Sequence, residues 1–438
     1  MHPHTQADER PDATSVATPR TGEPPAGREH DEIDLSTLDF WAKPAAAREA
    51  DFAELRAKRP VSWHRPAEST MPQPPDAPGF WAVVRHADIV EVSRRNDVFV
   101  SGNGVLFEVF PQDVMERALS FLVMDPPRHT RLRRLVSAAF TPKEVNRLQD
   151  QIKANAKRIV EQLAEAGSGA DFVHACAAKL PVLTLGDMLG IADEDREHVA
   201  NAAESLLSAA DPVFLAGRPR REVTDAAHQY LHGIAVKMAE ERRSSPQDDL
   251  MTNLVRAEID GEKLSNADIA SFFVLLSVAG TDTTRQTTTH GLKALTDHPE
   301  QRAWLMADFD GRINGAVEEF VRWATVIKTF ARTAVTDYEL GGRHISAGDK
   351  VVMFYTSGNR DTDVFADPTA FELGRDPNPH LGFGGGGAHY CLGNQVAKAQ
   401  LRAVFHELLT RIPDIRAGEP ELLTSNFVHA VRTMPCYF

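Results

Sequence analysis

Near the C-terminus the chain reads Phe383-Gly384-Gly385-Gly386-Gly387-Ala388-His389-Tyr390-Cys391-Leu392-Gly393. After this glycine-rich run, apolar residues recur with a helical period, which predicts a helix over residues 395–410. Cys391 therefore lies just before a helix N-terminus. The positive end of the helix dipole favours a thiolate at that position. The apolar positions that set the period are Ala397, Leu401, Val404 and Leu408.

A thiolate that a glycine loop delivers to the start of a helix is a suitable axial ligand for haem iron. Glycines let the backbone pass close to a flat porphyrin and adopt positive φ angles. Thiolate ligation pushes electron density toward bound dioxygen and favours cleavage of the O–O bond. The alternative is that a lone cysteine is simply a small apolar side chain. A dinucleotide site fits less well, because its glycine fingerprint follows a first strand and this loop is C-terminal.

A second motif follows the apolar stretch 272–278 and reads Ala279-Gly280-Thr281-Asp282-Thr283-Thr284. Ser265 and Asp268 form a capping box, which predicts a long core helix over residues 264–297. Its apolar part is too short to span a bilayer. Oxygen activation needs protons delivered into a dry pocket, and the adjacent carboxylate and hydroxyl of Asp282 and Thr283 suit that task. The alternative is that both side chains only destabilise the helix slightly.

Two further motifs carry paired charges. Glu319 and Arg322 are spaced i,i+3, so a carboxylate and a guanidinium share one helical face. His129 and Arg133 are one turn apart in a proline-led helix start over residues 125–134. Haem carries two carboxylates at its edge, and a histidine and an arginine at this spacing can reach one of them together. For a basic run such as this one, the alternative is a solvated face.

With these four motifs in this order, the chain resembles the bacterial cytochrome P450 family over most of its length. The resemblance implies a mainly α fold with a minor β region, in a single haem-containing catalytic domain. It implies haem b, iron protoporphyrin IX, as the cofactor and Cys391 as the axial ligand of its iron. Phe383 and Cys391 are eight residues apart, one more than is usual in the family. Actinobacterial enzymes that hydroxylate steroids and methyl-branched lipids share this longer loop.

The resemblance also assigns a role to each motif. Thr283 would donate a hydrogen bond to bound oxygen, and Asp282 would connect the site to bulk water. Glu319 and Arg322 would form a buried structural pair. Arg375 is a candidate for its third partner, because Ala370 stands where many members carry arginine. The cofactor-binding residues implied are His129, Arg133, Arg332, His389 and Phe383.

The substrate pocket is predicted from apolar residues that the resemblance places above the haem. Each of them is equally compatible with ordinary core. Together they predict a pocket for a small lipophilic substrate such as a sterol side chain, a terpenoid or a methyl-branched lipid. Lys328 would bind a substrate carboxylate if it faces this pocket, and would say nothing about the substrate if it faces away. The candidate lining residues are Leu106, Phe110, Val278, Ala279, Val326 and Phe427.

Periodicity elsewhere predicts helices over 143–165 and 222–243, with strands at 79–84 and 351–355. Residues 1–32 are dominated by Pro, Thr, Arg and Glu, which predicts a disordered tail before a catalytic domain of residues 33–438. The formal net charge of −14 gives no sign of a nucleic-acid partner. Without a run of about 18 apolar residues, no integral membrane segment is expected. The spacing of Cys176, Cys391 and Cys436 suits neither disulfides nor zinc, which favours a cytoplasmic protein.

The predicted activity is that of a haem-thiolate monooxygenase, which inserts one atom of O2 into a C–H bond. Electrons would come from a ferredoxin and a ferredoxin reductase, because basic side chains near the ligand loop, among them Lys398 and Arg402, can steer an acidic carrier. A peroxide-dependent peroxygenase is one alternative, but such enzymes tend to replace the Asp282-Thr283 pair. A haem sensor or carrier without turnover is the other.

Overall fold

The structure is a computed structural model that describes residues 28–68, 79–109, 115, 119–137, 140–209, 211–259 and 262–438. Phe110 and residues 1–27 lie outside these ranges. Residues 28–32, which the sequence assigned to the tail, contact the body of the protein. Arg28 forms an ion pair with Asp349 at 2.7 Å, and Asp31 forms one with Arg59 at 2.6 Å. The division into tail and domain stays a prediction.

Helices make up most of the described chain. The predicted helices at 143–165, 222–243, 264–297 and 395–410 are all present, each within two residues of the expected bounds. The α-helices are α1 Leu38–Ala42, α2 Ala45–Lys58, α3 His86–Arg94, α4 Arg128–Ser137, α5 Pro142–Ala166, α6 Lys179–Leu189, α7 Asp193–Ser208, α8 Pro212–Leu215, α9 Arg220–Ser244, α10 Leu250–Arg256, α11 Asn266–Asp297, α12 Pro299–Ala307, α13 Phe309–Ala324, α14 Tyr355–Gly358 and α15 Asn394–Arg411.

The strands are short. They are β1 Val61–His64, β2 Phe80–Val83, β3 Phe99–Val100, β4 Glu258–Ile259, β5 Glu262–Lys263, β6 Thr329–Ala334, β7 Tyr338–Leu340, β8 Arg343–Ile345, β9 Lys350–Phe354, β10 Arg416–Ala417, β11 Glu421–Leu422, β12 Val431–Thr433 and β13 Cys436–Tyr437. The largest sheet has the order β1-β2-β9-β6-β3, in which β2 and β9 are parallel and the other neighbours antiparallel. The two predicted strands are β2 and β9, at its centre.

The long helix α11 crosses the core. Its predicted capping box is present: Ser265 Oγ accepts from the Asp268 N–H at 3.1 Å, and the Asp268 carboxylate accepts from the Ser265 N–H at 3.2 Å. Helices α6, α7, α9, α12, α13 and α15 pack against it. Phe273 is fully buried by this packing. The helix therefore carries Asp282 and Thr283 through the centre of the molecule.

Helix α15, which follows Cys391, is anchored by contacts with α5, α11 and α13. The rings of Phe405 and Phe320 stack at 4.4 Å. A Cβ on Gly291 of α11 would lie 2.6 Å from Phe405, so glycine permits this close approach. The observed fold is mainly α with a minor β region, which confirms the predicted class. Within the described ranges, no single helix has the length and hydrophobicity to cross a membrane, although the bent pair Val173–Leu189 and Asp193–Ser208 meets both criteria jointly.

Candidate active site

The glycine loop before α15 is closed at its ends. The Cys391 N–H donates to the Phe383 carbonyl at 3.0 Å, so the longer spacing between these residues is accommodated without opening the loop. The loop lies against α3. Gly387 has φ +74, and a Cβ there would collide with the carbonyl oxygen of Ser93. Only glycine fits this approach, as the sequence pattern indicated.

The Cys391 thiol lies at the N-terminus of α15. Burial raises its pKa, whereas the backbone N–H groups of Gly393 and Asn394 and the Arg133 guanidinium act in the opposite direction and favour the thiolate. Coordination to a metal deprotonates such a thiol outright. Cys176 is completely buried and burial raises its pKa strongly, as expected of an inert core thiol. Backbone N–H groups and a guanidinium beside Cys391 thus offset part of the cost of charging its sulfur.

Buried basic side chains gather beside the loop. His129 is 1 % exposed, and neither of its ring nitrogens has a hydrogen-bond partner within the described residues. His389 Nδ1 is unpartnered in the same way, and the two rings lie 4.2 Å apart. Burial, reinforced by the charges of Arg332 and Arg133, lowers the pKa of His129 to about 4 and that of His389 to about 2. Both imidazoles are therefore uncharged at neutral pH, and each can donate one N–H.

Within the described residues, the only carboxylate that acts on Arg332 is Asp125, and it forms no ion pair with it. Arg332 is 5 % exposed and its guanidinium donates to the neighbouring Ala331 carbonyl at 2.7 Å. Arg133 donates to the Tyr390 carbonyl. Within the described residues, neither guanidinium forms an ion pair with an acidic side chain. Buried donors and cations without partners mark the place of a missing anion, and the two propionates of haem fit that requirement.

Residues 278–280 of α11 are accessible to solvent, although the helix crosses the core of the protein. Ala279 is exposed, and Val278 and Gly280 are partly exposed, although Phe273 is buried. The hydroxyl of Thr283 donates to the Ala279 carbonyl at 2.9 Å. Solvent-exposed residues in the middle of an otherwise buried helix are unusual and indicate a space for a bound molecule. This part of α11 therefore exposes Val278, Ala279 and Gly280, with the Thr283 hydroxyl beside them.

Asp282 faces a different part of the molecule. It is 5 % exposed and accepts hydrogen bonds from Arg285 Nε at 2.9 Å and Gln286 Nε2 at 3.2 Å. Arg285 also donates to Glu204 of α7 at 2.7 Å. A cavity of about 1110 Å³ between α11 and helices α5, α6 and α7 is bordered by Thr281, Asp282, Arg285 and Glu204. The Asp282 carboxylate therefore borders a cavity that is lined by many charged side chains.

Known proteins resemble this chain along most of its length. The cytochrome P450 family model matches residues 80–412. The chain belongs to the cytochrome P450 family. It is 41 % identical over 425 residues to the methyl-branched lipid omega-hydroxylase of Mycobacterium tuberculosis, covering 96 % of this chain and 98 % of that protein. The steroid C26-monooxygenase of Mycolicibacterium smegmatis is 39 % identical over 398 residues, covering 87 % and 88 %.

A solved structure is also similar to this P450. It is Mycobacterium marinum cytochrome P450 CYP268A2 in complex with pseudoionone, which is 60 % identical with a TM-score of 0.92 and covers 94 % of this chain and 100 % of its own. The relatives include both activities of the subgroup suggested by the longer cysteine loop. The predicted family, its haem-dependent monooxygenase chemistry and its fold are therefore confirmed.

The charged pair of α13 is buried in this P450. Glu319 is completely buried, and Arg322 donates to both of its carboxylate oxygens at 2.7 Å. Arg375 Nε lies 3.4 Å from Glu319 Oε2, which makes it the third charged group near the pair. The same Arg322 guanidinium binds the carbonyls of the segment that leads to the cysteine loop, those of Asn359, Pro368 and Ala370, at 2.9 to 3.0 Å.

Apolar side chains gather on the side of the predicted substrate pocket. Leu106 and Phe330 both pack against the apolar cluster around Val105, and the Phe330 ring lies 5.5 Å from that of Phe427. Val326 is 7 % exposed, and its carbonyl accepts from the His429 N–H at 2.7 Å. The sequence did not single out Phe330. Phe330 lies four residues after Val326, a predicted lining residue, and this proximity could have identified it from the sequence.

Lys328 is occupied by the protein itself. Its ammonium donates to the Ser425 carbonyl at 2.8 Å and lies 5.4 Å from the ring of Trp41. The residue is 5 % exposed, and burial lowers its pKa to about 7. The Ser425 carbonyl and the Trp41 ring stabilise the buried ammonium of Lys328. Its burial therefore does not indicate that the residue binds a substrate carboxylate.

The basic residues near the ligand loop are not all available to a partner. Lys398 pairs with Glu318 at 2.6 Å, and its side chain is 16 % exposed. Arg128 lies 3.6 Å from Asp268. These carboxylates offset part of the local positive charge.

Proposed function

We propose that this P450 hydroxylates a small lipophilic substrate of the sterol side-chain, terpenoid or methyl-branched lipid class. The ring contact of Phe330 with Phe427 carries the proposal, together with the apolar cluster around Val105 against which both Phe330 and Leu106 pack. Lys328, the nearby cation, is bound to the Ser425 carbonyl. The names of the similar proteins, a methyl-branched lipid omega-hydroxylase, a steroid C26-monooxygenase and a complex with pseudoionone, support the same classes.

The proposed cofactor is haem b with Cys391 as its axial ligand. Bound haem supplies the binding and reductive activation of O2. The side chains of this chain hold and orient it: the basic groups meet its carboxylates by charge-assisted hydrogen bonds, which are stronger than neutral ones. The proposed contacts are His129, Arg133, Arg332, His389 and Phe383.

Protons are proposed to pass from Asp282 to the region of Thr283. Successive helical residues point about 100° apart, so Asp282 borders the polar cavity while the Thr283 hydroxyl lies beside bare Ala279. Arg285 and Glu204 hold the carboxylate toward the cavity. This arrangement lets Asp282 exchange protons with water while the uncovered face of α11 stays apolar.

Electrons are proposed to come from a ferredoxin and its reductase in the cytoplasm. Arg134 and Lys143 are exposed on a chain whose net charge is −14. A basic patch on an acidic protein orients a small acidic carrier during encounter. Reduction rates should therefore fall as the salt concentration rises.

The proposed substrate class is tested by titrating the purified ferric protein with sterols, terpenes and methyl-branched fatty acids. Displacement of water from the haem iron by an apolar substrate shifts the Soret band toward the high-spin position, and we expect this shift with branched apolar compounds. Products formed under 18O2 should gain one labelled hydroxyl. A response confined to polar compounds would contradict the proposal. Faster turnover with H2O2 than with electrons would indicate a peroxygenase, and binding without any product would indicate a carrier or sensor.

Thr283→Ala is expected to leave substrate binding intact and to divert electrons to peroxide. Because general acid–base groups contribute a hundredfold or more to many reactions, product formed per electron pair should fall by roughly tenfold or more. Thr288→Ala is the matched control, since its hydroxyl makes the same type of bond to the Thr284 carbonyl, at 2.9 Å. Equal coupling in the two variants would remove Thr283 from the proposed route.

A further inference from the structure

Two lysines of the largest sheet donate to backbone carbonyls instead of to carboxylates. Lys328, directly before β6, is 5 % exposed, and Lys350 at the start of β9 is partly buried. Within the described residues, neither ammonium forms an ion pair with an acidic side chain. Lys328 donates to the carbonyl of Ser425, and Lys350 to those of Phe107 and Glu108. Each lysine therefore binds a segment that contains a predicted pocket residue, Phe427 in one case and Leu106 in the other.

The segment of Phe427 is bound to the residues around the start of β6. Lys328 Nζ donates to the Ser425 carbonyl at 2.8 Å, and the Lys328 N–H donates to the Phe427 carbonyl, also at 2.8 Å. The Thr329 hydroxyl donates to the Asn426 carbonyl at 3.0 Å. The position of the Phe427 ring thus depends in part on a side chain that can lose its charge.

Residues 105–108 are held in the same way by β9. Lys350 Nζ donates to the Phe107 carbonyl and, at 3.3 Å, to the Glu108 carbonyl. The Glu108 carboxylate in turn accepts from Asn426 Nδ2 at 3.2 Å. Because β6 and β9 are paired strands, these bonds join the two segments to one sheet and to each other. Neither segment belongs to a helix or a strand, so its carbonyls depend on donors from elsewhere.

Both lysines change charge near neutral pH. Burial lowers the pKa of Lys328 to about 7, and the charge of Arg48 on α2 acts in the same direction. Burial lowers the pKa of Lys350 to about 8, although the Glu108 carboxylate opposes this shift. Hydrogen bonds from a charged donor are roughly twice as strong as those from a neutral one. Both segments should therefore be held more firmly below about pH 7 than above about pH 8.

Two histidines near Lys328 do not titrate in this range. Burial lowers the pKa of His290 to about 4, and burial together with the neighbouring His290 holds the pKa of His429 well below its usual value. The charge of Lys328 lowers both further. Their imidazoles are therefore uncharged at neutral pH, and a change of local charge between about pH 6.5 and about pH 8.5 comes from the lysines.

We propose that Lys328 and Lys350 are positioning residues that fix the distance between the two apolar segments of the substrate pocket. The inference rests on the proposed function, because Leu106 and Phe427 are the residues that would touch the substrate. A buried ammonium without a carboxylate is costly, and here its hydrogen bonds are spent on the backbone of these two segments. Firmly held segments select substrates by shape, whereas loosened segments admit bulkier ones. Substrate selection should therefore weaken as the pH rises.

The experiment is hydrogen–deuterium exchange of the substrate-free, haem-loaded protein, resolved to single amides. The reporters are the N–H groups of His429 and Ala331, which donate to the carbonyls of Val326 and Val105, both at 2.7 Å. After correction for the intrinsic effect of pH, both amides should exchange faster at about pH 8.5 than at about pH 6.5.

The variants assign this response to the lysines. At about pH 6.5, Lys328→Met should speed exchange of the His429 amide and Lys350→Met that of the Ala331 amide, each by roughly tenfold, the lower end of what one hydrogen bond from a charged group contributes. The double variant should lose the pH response. Its unfolding temperature should stay close to that of the native protein, because the cost of burying the ammonium groups is removed with them.

Lys293→Met is the matched control, since Lys293 is a partly buried lysine of α11 that pairs with Asp297 at 2.6 Å. It should leave both reporter amides and their pH response as in the native protein. The proposal is overturned if the double variant keeps the native exchange rates or the native pH response, or if Lys293→Met changes them equally.

Selection itself is measured by spin-state titration with a compact and a bulky uncharged terpene. The ratio of their dissociation constants should fall by roughly tenfold in the double variant, and in the native protein it should be smaller at about pH 8.5 than at about pH 6.5. An unchanged ratio would overturn the role of the lysines in selection. The exchange measurement contains no substrate, so its failure is distinguishable from a failure of the proposed hydroxylation.

Discussion

Cys391→Ala is expected to abolish the strongly red-shifted Soret band of the reduced protein with carbon monoxide, together with all product formation. The band arises from a thiolate bound to haem iron, and the thiol at the start of α15 is the one whose surroundings favour that thiolate through backbone N–H groups and Arg133. The proposed propionate contacts are unchanged in the variant, so some haem should still bind. The measurement is the carbon monoxide difference spectrum at equal haem content.

Cys176→Ala and Cys436→Ala are the matched controls for this prediction. Both cysteines are fully buried away from the glycine loop, and for both burial raises the pKa, to about 11 for Cys436. Their replacement removes a single sulfur atom from the core, which should lower stability modestly and leave the band in place. A red-shifted band that survives in Cys391→Ala and disappears in either control would assign the ligand elsewhere.

The sequence predicted those parts of the site that depend on local patterns. The loop around Cys391, the capping box of Ser265 and the long helix with Asp282 and Thr283 each rest on spacings within a few residues. Propensity, capping and helix periodicity act over such distances, so they can be recognised without knowing the fold. The same reasoning located the central strands β2 and β9, whose apolar runs are bounded by turn residues.

Contacts between distant segments were not predictable in the same way. Glu204 reaches Arg285 from another helix, and Lys328 turns to the Ser425 carbonyl 97 residues away. Such choices depend on how helices and loops pack, and one sequence does not determine them by spacing. The aspartate and arginine at positions 282 and 285 did carry a local signal, their i,i+3 spacing on α11. Its significance becomes clear only with the cavity beside them.

The different surroundings of Asp282 and Thr283 on α11 follow from helix geometry. Adjacent residues differ by about 100° in direction, so Asp282 meets polar partners while Ala279 and Thr283 border an uncovered face. A carboxylate on that face would lose its hydration without gaining a partner. Placing the charge one position away from the hydroxyl therefore keeps the proposed substrate space apolar and leaves the proposed proton donor, Asp282, next to Thr283 in the chain.

Arg322→Leu is expected to destabilise this P450 by about 3–5 kcal/mol, because it leaves a buried carboxylate without its main partner. Glu319 is completely buried, and Arg375 at 3.4 Å is too distant to replace two bonds of 2.7 Å. The variant also frees the carbonyls of Asn359, Pro368 and Ala370. Since that segment leads to the cysteine loop, haem content should fall together with the unfolding temperature.

The matched control for Arg322→Leu is Arg411→Leu, which breaks an i,i+4 pair with Glu407 on the surface of α15. Exposed pairs contribute about 0–1 kcal/mol, so this variant should unfold close to the native protein. Glu319→Leu combined with Arg322→Leu should recover part of the lost stability, because no charge is then left unpaired in the core. If Arg322→Leu and Arg411→Leu unfold at the same temperature, the buried pair does not stabilise the fold more than a surface pair does. If they unfold at the same temperature and only Arg322→Leu loses haem, then Arg322 holds the ligand loop without contributing to overall stability.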